Sequence, residues 1–404
     1  PKETIVARRK TGRLGVGLIG TKFMGKAHSH AWASAGPFFD LPLAIDMVTV
    51  AGRDPAETHE FGKRWGWRKS VAQWQLAVLD AEVDLVDVST PNHVHADMSI
   101  AALEAGKHVA CEKPLAGTLA DARAMVKAAK KARGQKTFVW FNYRRCPAVA
   151  LAHQLVRDGR LGKLFHVRAS YLQDWGGPET PLLWRFQADQ AGSGAHGDLN
   201  AHIIDMARFV TGQEFTEVSG AIEHTFVKER AIVDSAGGAI SGKGAKARGR
   251  RTGRSTVDDA VLFLARFSGG AIGSFEATRL ATGNKNRNQI EVNGELGSVK
   301  FDFERMNELQ WWDNTAPKAL QGWTTIMCTE GVHPYAGNYW PPAHLIGYEQ
   351  GFVSMAADIA MVLGGSKPVV PLPDFEDALK TQCVLEAAVM SARERRPVSL
   401  KELG

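Results

Sequence analysis

The chain has 404 residues, of which 44% are hydrophobic and 23% charged; that balance supplies a sizeable core, excludes wholesale disorder and predicts two or three compact units. Its apolar runs are far shorter than the roughly 18 residues of a spanning helix, so a protein that works off the membrane is expected. The net charge of +6, from 49 Lys and Arg against 43 Asp and Glu, comes from Lys243, Lys246, Arg248, Arg250, Arg251 and Arg254 in one Gly-rich stretch. This reads as a surface loop within 237–256, and without a recognition motif beside it nucleic acid is not an expected partner.

Arg8-Arg9 is not followed by the apolar segment of an export signal but by a Gly-punctuated strand that begins at Leu14. From there to residue 143, apolar runs at 14–20, 47–52, 84–89, 108–111 and 137–142 read as strands. Amphipathic stretches at 23–35, 55–65, 93–105 and 118–133 read as helices between them. Alternation of this kind predicts a mostly parallel sheet covered on both faces. After Pro147 the pattern changes: a helix at 148–158, a strand at 165–171, a helix at 198–210, then strands at 257–267, 271–281, 288–292 and 298–301. Turns such as Ser268-Gly269-Gly270 and Asn293-Gly294 join successive strands, which predicts a largely antiparallel sheet in a second, α+β unit. Helices at 345–363 and 375–393 close the chain. The four cysteines, Cys111, Cys146, Cys328 and Cys383, form no C-x-x-C pair; this speaks against a disulfide framework or zinc site and fits a reducing, cytoplasmic setting.

Two overlapping segments match G-x-G-x-x-G. Gly15 to Gly20 fits the letters but forms the body of the first strand. The turn that follows a strand and opens a helix is Gly20-Thr21-Lys22-Phe23-Met24-Gly25, where helix N-terminal amides can hold a pyrophosphate. Lys22 replaces the middle glycine and adds a cation. Counting about 20 residues onward reaches Asp46, yet Asp46 precedes the second strand, whereas ligands lie beyond strand carboxyl ends. That end carries Gly52-Arg53-Asp54: Arg53 can pair with a 2′-phosphate, which tilts the reading toward NADP tolerance, or Arg53 and Asp54 form a solvated turn.

Three further stretches, taken with this loop, resemble the Gfo/Idh/MocA family of glucose–fructose, inositol and related sugar oxidoreductases. They are Thr90-Pro91-Asn92-His93-Val94-His95, Cys111-Glu112-Lys113-Pro114-Leu115, and the run from Gly192 through His196, Asp198 and His202 to Asp205. The segments around Asn142-Tyr143-Arg144, Tyr171-Leu172-Gln173-Asp174-Trp175 and Trp184-Arg185-Phe186 resemble the levoglucosan dehydrogenase branch, whose members oxidise a pyranose hydroxyl, typically at C3. The resemblance implies an α/β protein with a Rossmann dinucleotide-binding domain over 1–146. Residues 147–404 would form an α+β domain with a large, mostly antiparallel open-faced sheet, and the protein would be a homo-oligomer, a dimer or tetramer. It implies NAD or NADP as cofactor, held by Gly20, Lys22, Phe23, Met24, Gly25, Arg53, Asp54, Thr90, Pro91, Asn92, His95, Glu112, Lys113, Asn142, Trp184 and Arg185.

Oxidising a secondary alcohol needs a proton acceptor at the hydroxyl and a hydride acceptor about 3–3.5 Å from the carbinol carbon, and no metal. Lys113, at the end of the fourth strand, is placed to stabilise charge on the carbinol oxygen. Asp198 and His202 lie four apart on one helix face. His202, with an ordinary pKa near 6.5, is the expected general base; Asp198 contacts the hydroxyl, orients the imidazole or caps the helix. Asp205 shares that face or pairs with Arg208, and the glycines of 192–197 would let a substrate approach the backbone. Trp175 and Trp184 are candidate sugar platforms, and Tyr143, Arg144, His333 and Tyr335 candidate wall residues. The H-x-H pairs His28/His30 and His93/His95 lack an evident third ligand, so no metal site is expected. The reading is an NAD(P)-dependent dehydrogenase of a cyclic sugar, glycoside or polyol. Its rivals are a glycosidase that oxidises C3 transiently while retaining NAD, and a cofactor-sensing regulator without chemistry.

Overall fold

Apolar runs buried on both faces pair side by side in the first part of the chain. The computed structural model describes residues 12–232 and 251–403; Arg8-Arg9 and the loop cations Lys243, Lys246, Arg248 and Arg250 lie outside the described residues. Strands β1 (Arg13–Ile19), β2 (Ala44–Ala51), β3 (Lys69–Val71), β4 (Leu85–Val88), β5 (His108–Cys111) and β6 (Thr137–Val139) form a parallel sheet in the order β3-β2-β1-β4-β5-β6. Helices α1 (Phe23–Phe38), α2 (Pro55–Trp65), α3 (Trp74–Leu79), α4 (His95–Glu104) and α5 (Leu119–Lys131) make the crossovers. This is the doubly wound order, in which ligands bind beyond the strand ends where the order reverses. Thr118 caps α5, accepting the Asp121 amide at 3.1 Å.

α6 (Pro147–Arg157) leads into a second sheet built from β7 (Leu164–Leu172), β8 (Phe215–His224), β11 (Ala260–Phe267), β12 (Ile272–Thr278), β13 (Arg287–Gly294), β14 (Gly297–Asp302), β15 (Glu308–Asp313), β16 (Trp323–Met327) and β17 (Val398–Ser399). Its order is β16-β15-β14-β13-β7-β12-β11-β8-β17, and every neighbouring pair is antiparallel except β7 with β12. A separate ribbon pairs β9 (Glu229–Ala231) with β10 (Thr252–Arg254), so the end of the basic stretch is a strand rather than a loop. Inward residues Phe263 and Phe275 stack at 4.9 Å, each contributing about 1.5–3 kcal/mol of burial. One face of this sheet packs on α8 (Ala201–Thr211), all eleven residues of which are buried. The last helices, α9 (Tyr348–Leu363) and α10 (Phe375–Glu394), lie against α1 and α5. Among the described residues no helix is long and apolar enough to cross a membrane.

Candidate active site

Three parallel strands end side by side, β1 into Gly20, β4 into Ser89-Thr90 and β5 into Glu112-Lys113. Gly20 has φ +118°, and a Cβ there would fall 2.5 Å from the Ser89 carbonyl oxygen; a Cβ on Gly25 would fall 2.2 Å from the Gly20 carbonyl oxygen. Only glycine lets strand, turn and α1 approach so closely. α1 then opens at Phe23 with no acid in its first turn, which leaves its amides to an anion. This cradle fits the pyrophosphate of a dinucleotide. Gly15 and Gly17 of the rival match lie inside β1, where added Cβ atoms would strike Glu82 and Val83. Beside the turn, Phe23 is exposed and Met24 half-buried, and the exposed Lys22 ammonium sits 2.7 Å from Glu57.

At the end of β2, Arg53 is exposed and makes no side-chain hydrogen bond among the described residues. Asp54 is the N-cap of α2, its Oδ1 accepting the Glu57 amide at 2.9 Å. Its carboxylate therefore caps α2. Asp46 pairs with Arg68 at 3.1 Å, well before the carboxyl end of β2.

The turn after β4 looks elsewhere than expected. Asn92 Nδ2 donates to the Ala191 carbonyl at 2.9 Å, and His93 Nδ1 lies 3.2 Å from that of Gln190. Both tie the turn to α7 (Ala188–Ala191) in the second half. Thr90 Oγ1 faces Met98 Sδ at 3.7 Å, and Pro91 precedes a short 3-10 turn. His95 is fully buried, its ring nitrogens 3.1 and 3.0 Å from the carbonyl oxygens of Pro114 and Thr90, and burial pushes its pKa down. Glu112 is buried, with Oε1 3.0 Å from His28 Nε2 and Oε2 accepting the Lys113 amide at 3.0 Å. His95 and Glu112, read as cofactor contacts, are therefore buried internal ties; a neutral His95 has one N–H and donates to only one of the two carbonyls. Asn142 is buried beside Gly351.

Across from these strand ends stands the segment that precedes α8. Residues His196–Asn200 form a π turn, a local widening found often at functional sites. It is anchored by Asp258, whose carboxylate accepts the amides of Gly194 at 2.6 Å and His196 at 2.8 Å. A Cβ on Gly194 would fall 1.8 Å from the Asp258 carbonyl oxygen, and one on Gly192, at φ +76°, 2.2 Å from that of Gly117. Gly192 and Gly194 thus serve chain packing. Lys113 Nζ donates to both the main-chain oxygen and Oδ1 of Asp198, each at 2.8 Å. An ammonium has three donors, so one remains for a ligand. The other oxygen of Asp198 accepts Arg279 Nη2 at 2.8 Å. Burial would push the Asp198 carboxyl up, but Lys113, Arg279 and Arg185 together hold it well below the usual carboxylate range.

His202 follows one turn later, beneath Tyr143 at 4.7 Å between ring centres and Tyr171 at 5.8 Å. Its Nδ1 is buried without a hydrogen-bond partner. Burial and then the Lys113 charge, against Asp198, hold its pKa well below 6.5, so the imidazole is neutral at neutral pH. Tyr143 donates to Tyr171 at 2.6 Å and Tyr171 to Asn286 Oδ1 at 2.7 Å. Arg185 lies over Trp184, 4.4 Å from the ring centre, and its guanidinium makes no hydrogen bond among the described residues. Trp175 donates to Gln173 at 2.6 Å and lies under Arg279 at 5.1 Å.

Three expected wall residues have partners of their own. Arg144 is buried, bonding Asp205 through both Nε and Nη2 and Asp377 at 2.6 Å; it is an internal brace, and Asp205 pairs with it rather than with Arg208. Tyr335 is buried and donates to Asp358 at 2.7 Å. His333 accepts the Glu330 amide within its own loop at 3.2 Å. Sequence reasoning missed Arg279, Asn286 and Tyr348, which opens α9 close enough to Tyr171, Glu112 and Asp198 to sense their charge. The one signal for Arg279 was its place just past the end of β12.

A dinucleotide cradle at the switch point of a parallel sheet, faced by an ammonium, a carboxylate and a neutral imidazole, defines a nicotinamide-dependent oxidoreductase. Residues 14–141 match the model of the oxidoreductase family with an NAD-binding Rossmann fold, and residues 149–300 that of the Gfo/Idh/MocA C-terminal domain. The chain is 40% identical over 399 residues to levoglucosan dehydrogenase of Pseudarthrobacter phenanthrenivorans, covering 96% of this chain and 99% of that one. Among solved structures, an oxidoreductase domain protein from Kribbella flavida superposes with a TM-score of 0.90 at 48% identity, covering 96% of this chain and all of the other. A levoglucosan dehydrogenase complex with NADH and levoglucosan superposes at 0.88 and 39% identity, covering 96% and 99%. This chain belongs to the Gfo/Idh/MocA family and is an NAD-binding oxidoreductase.

Proposed function

We propose that the protein transfers a hydride between a secondary hydroxyl of a cyclic sugar, glycoside or polyol and the nicotinamide, at C3 where the substrate is a pyranose. The reading rests on one observation: the Lys113 ammonium, at the end of β5, bonds Asp198 at 2.8 Å one turn before His202. The cofactor, when bound, supplies the hydride acceptor or donor. The remaining Lys113 donor binds the reacting oxygen and stabilises the charge that grows on it. Neutral His202 takes the hydroxyl proton, and Asp198, held ionised, keeps the ammonium oriented. Trp175 and Trp184 offer aromatic faces to the C–H faces of a pyranose.

Residues 20–25, Arg53 and Arg185 hold the cofactor in this reading. The exposed, uncommitted Arg53 leaves room for a 2′-phosphate as well as for NAD. The test is formation of reduced nicotinamide from NAD or NADP with a broad panel of sugars and polyols. Glycoside cleavage without net cofactor consumption would replace this reading with the retained-NAD glycosidase, and cofactor binding without turnover would replace it with a sensor.

The chain divides near residue 146 into cofactor and sugar units, and four unpaired cysteines suit the cytoplasm. On the outward face of the nine-stranded sheet, Ile222, Leu262, Leu264 and Ile272 are all exposed. Exposed apolar side chains on a sheet face are what a partner covers, and here the partner is a second copy of the chain.

A further inference from the structure

Beneath Lys113 lies a buried cluster that the proposed chemistry does not use. His28, on α1, is fully buried. Its Nδ1 is 3.0 Å from Asp87 Oδ2 on β4, and its Nε2 is 3.0 Å from Glu112 Oε1 at the end of β5. Asp87 also accepts the indole N–H of Trp32 at 2.7 Å and of Trp140 at 2.9 Å. The remaining faces of the imidazole meet the rings of Trp140 at 4.1 Å and Phe352 at 5.7 Å. Asp87 and Glu112 are therefore the only charged groups that face it among the described residues. An ionised carboxylate can only accept, so a ring held between two of them must carry both protons. In agreement, although burial acts against it, the two carboxylates push the His28 pKa up to about 9.

The second oxygen of Glu112 accepts the Lys113 amide at 3.0 Å. One rigid chain of bonds thus runs from the core of the first sheet to the residue that donates to Asp198. We propose that His28 is a positioning residue for Lys113: by gripping Glu112 against Asp87 it fixes the Lys113 backbone, and so the direction in which the ammonium approaches Asp198 and the reacting oxygen. The inference rests on the function proposed above. Its weight comes from geometry, since a displacement of about 1 Å in a reacting group can cost on the order of 100-fold in rate.

Glu112→Ala and Glu112→Gln in the full chain test this directly. Glutamine keeps an acceptor for the Lys113 amide and can donate to a neutral His28, whereas alanine removes both links. Glu112→Ala is expected to lose about 10–100-fold in kcat with sugar KM changed less than about threefold, and Glu112→Gln to recover most of that loss. NADH fluorescence titration and thermal unfolding confirm that each variant binds cofactor and is folded. Ring 15N spectra are expected to show one imidazolium at pH 8 that is absent in His28→Gln and neutral in Glu112→Gln. Equal kcat in wild type and a folded Glu112→Ala, or a Glu112→Gln as impaired as Glu112→Ala, overturns the proposal. If the wild type turns over no sugar, the proposed function fails separately. Crystals of the alanine variant then decide: a Lys113 Nζ that still sits 2.8 Å from Asp198 overturns the positioning role, and one that has swung away supports it.

Discussion

Asp198 and Asp205 lie seven residues apart on one stretch of helix, and each is paired with a basic side chain, yet the first cluster is the proposed site and the second an internal brace. Asp198 meets Lys113 and Arg279 with its side chain about one quarter exposed and one ammonium donor left over. Asp205 is 3% exposed, and the Arg144 fork that holds it is also bonded to Asp377. Arg208 extends that second network to Glu214 and Asp377. Ion pairing is common to both. What separates them is spare hydrogen-bonding capacity on a partly exposed cluster.

That contrast can be broken most sharply at Lys113. Lys113→Ala is expected to lower kcat by about 10²–10³-fold, and His202→Ala by about 10²–10⁴-fold, with circular dichroism unchanged in both; a variant that keeps near-normal turnover would make the Asp198 cluster a second brace. Arg144→Ala should do the reverse. Leaving Asp205 unpaired in the core costs about 3–5 kcal/mol in urea unfolding, while turnover per folded molecule stays near the wild-type value.

Acidity separates the Asp198 cluster from the buried His28 cluster more gently. His202 must be neutral to act, and burial with Lys113 holds its pKa well below 6.5, so kcat/KM should stay level as pH falls through 6.5 and decline only below it. His28 has the opposite sign. Raised to about 9, it contributes stability in full below pH 6.5 and loses it as pH rises through 9, a change on the order of 3 kcal/mol that unfolding at pH 7 and pH 10 would measure. The smallest effect is expected from Leu264→Glu, which should lower the sedimenting mass while leaving both clusters and the turnover of each subunit intact.

The periodicity of the first half was plain because its central strands are buried on both faces and two of its helices, α2 and α5, carry side-chain caps. β3 and α3, at three and six residues, are too short to show a period. In the second half β8 escaped notice, since its alternate residues Thr216, Gly220 and Ile222 point outward and blur the apolar run. The meeting of Lys113 with the Asp198–His202 helix face was legible because strand end and helix face declare themselves locally. Arg279 was not, because its partner Asp198 lies 81 residues away. His95, Glu112 and Arg144 misled for a related reason: a polar residue in a motif looks the same whether it faces a ligand or a buried carbonyl, and only the packing tells which.

The ties from Asn92 and His93 to Ala191 and Gln190 also limit how the molecule can be re-engineered. Grafting a foreign first half onto this second half would cut a seam through those two bonds and set the platform formed by Trp184 and Arg185 adrift. A chimaera meant to change cofactor preference therefore has to carry the segment around 184–191 along with the strand-end turn it is stitched to.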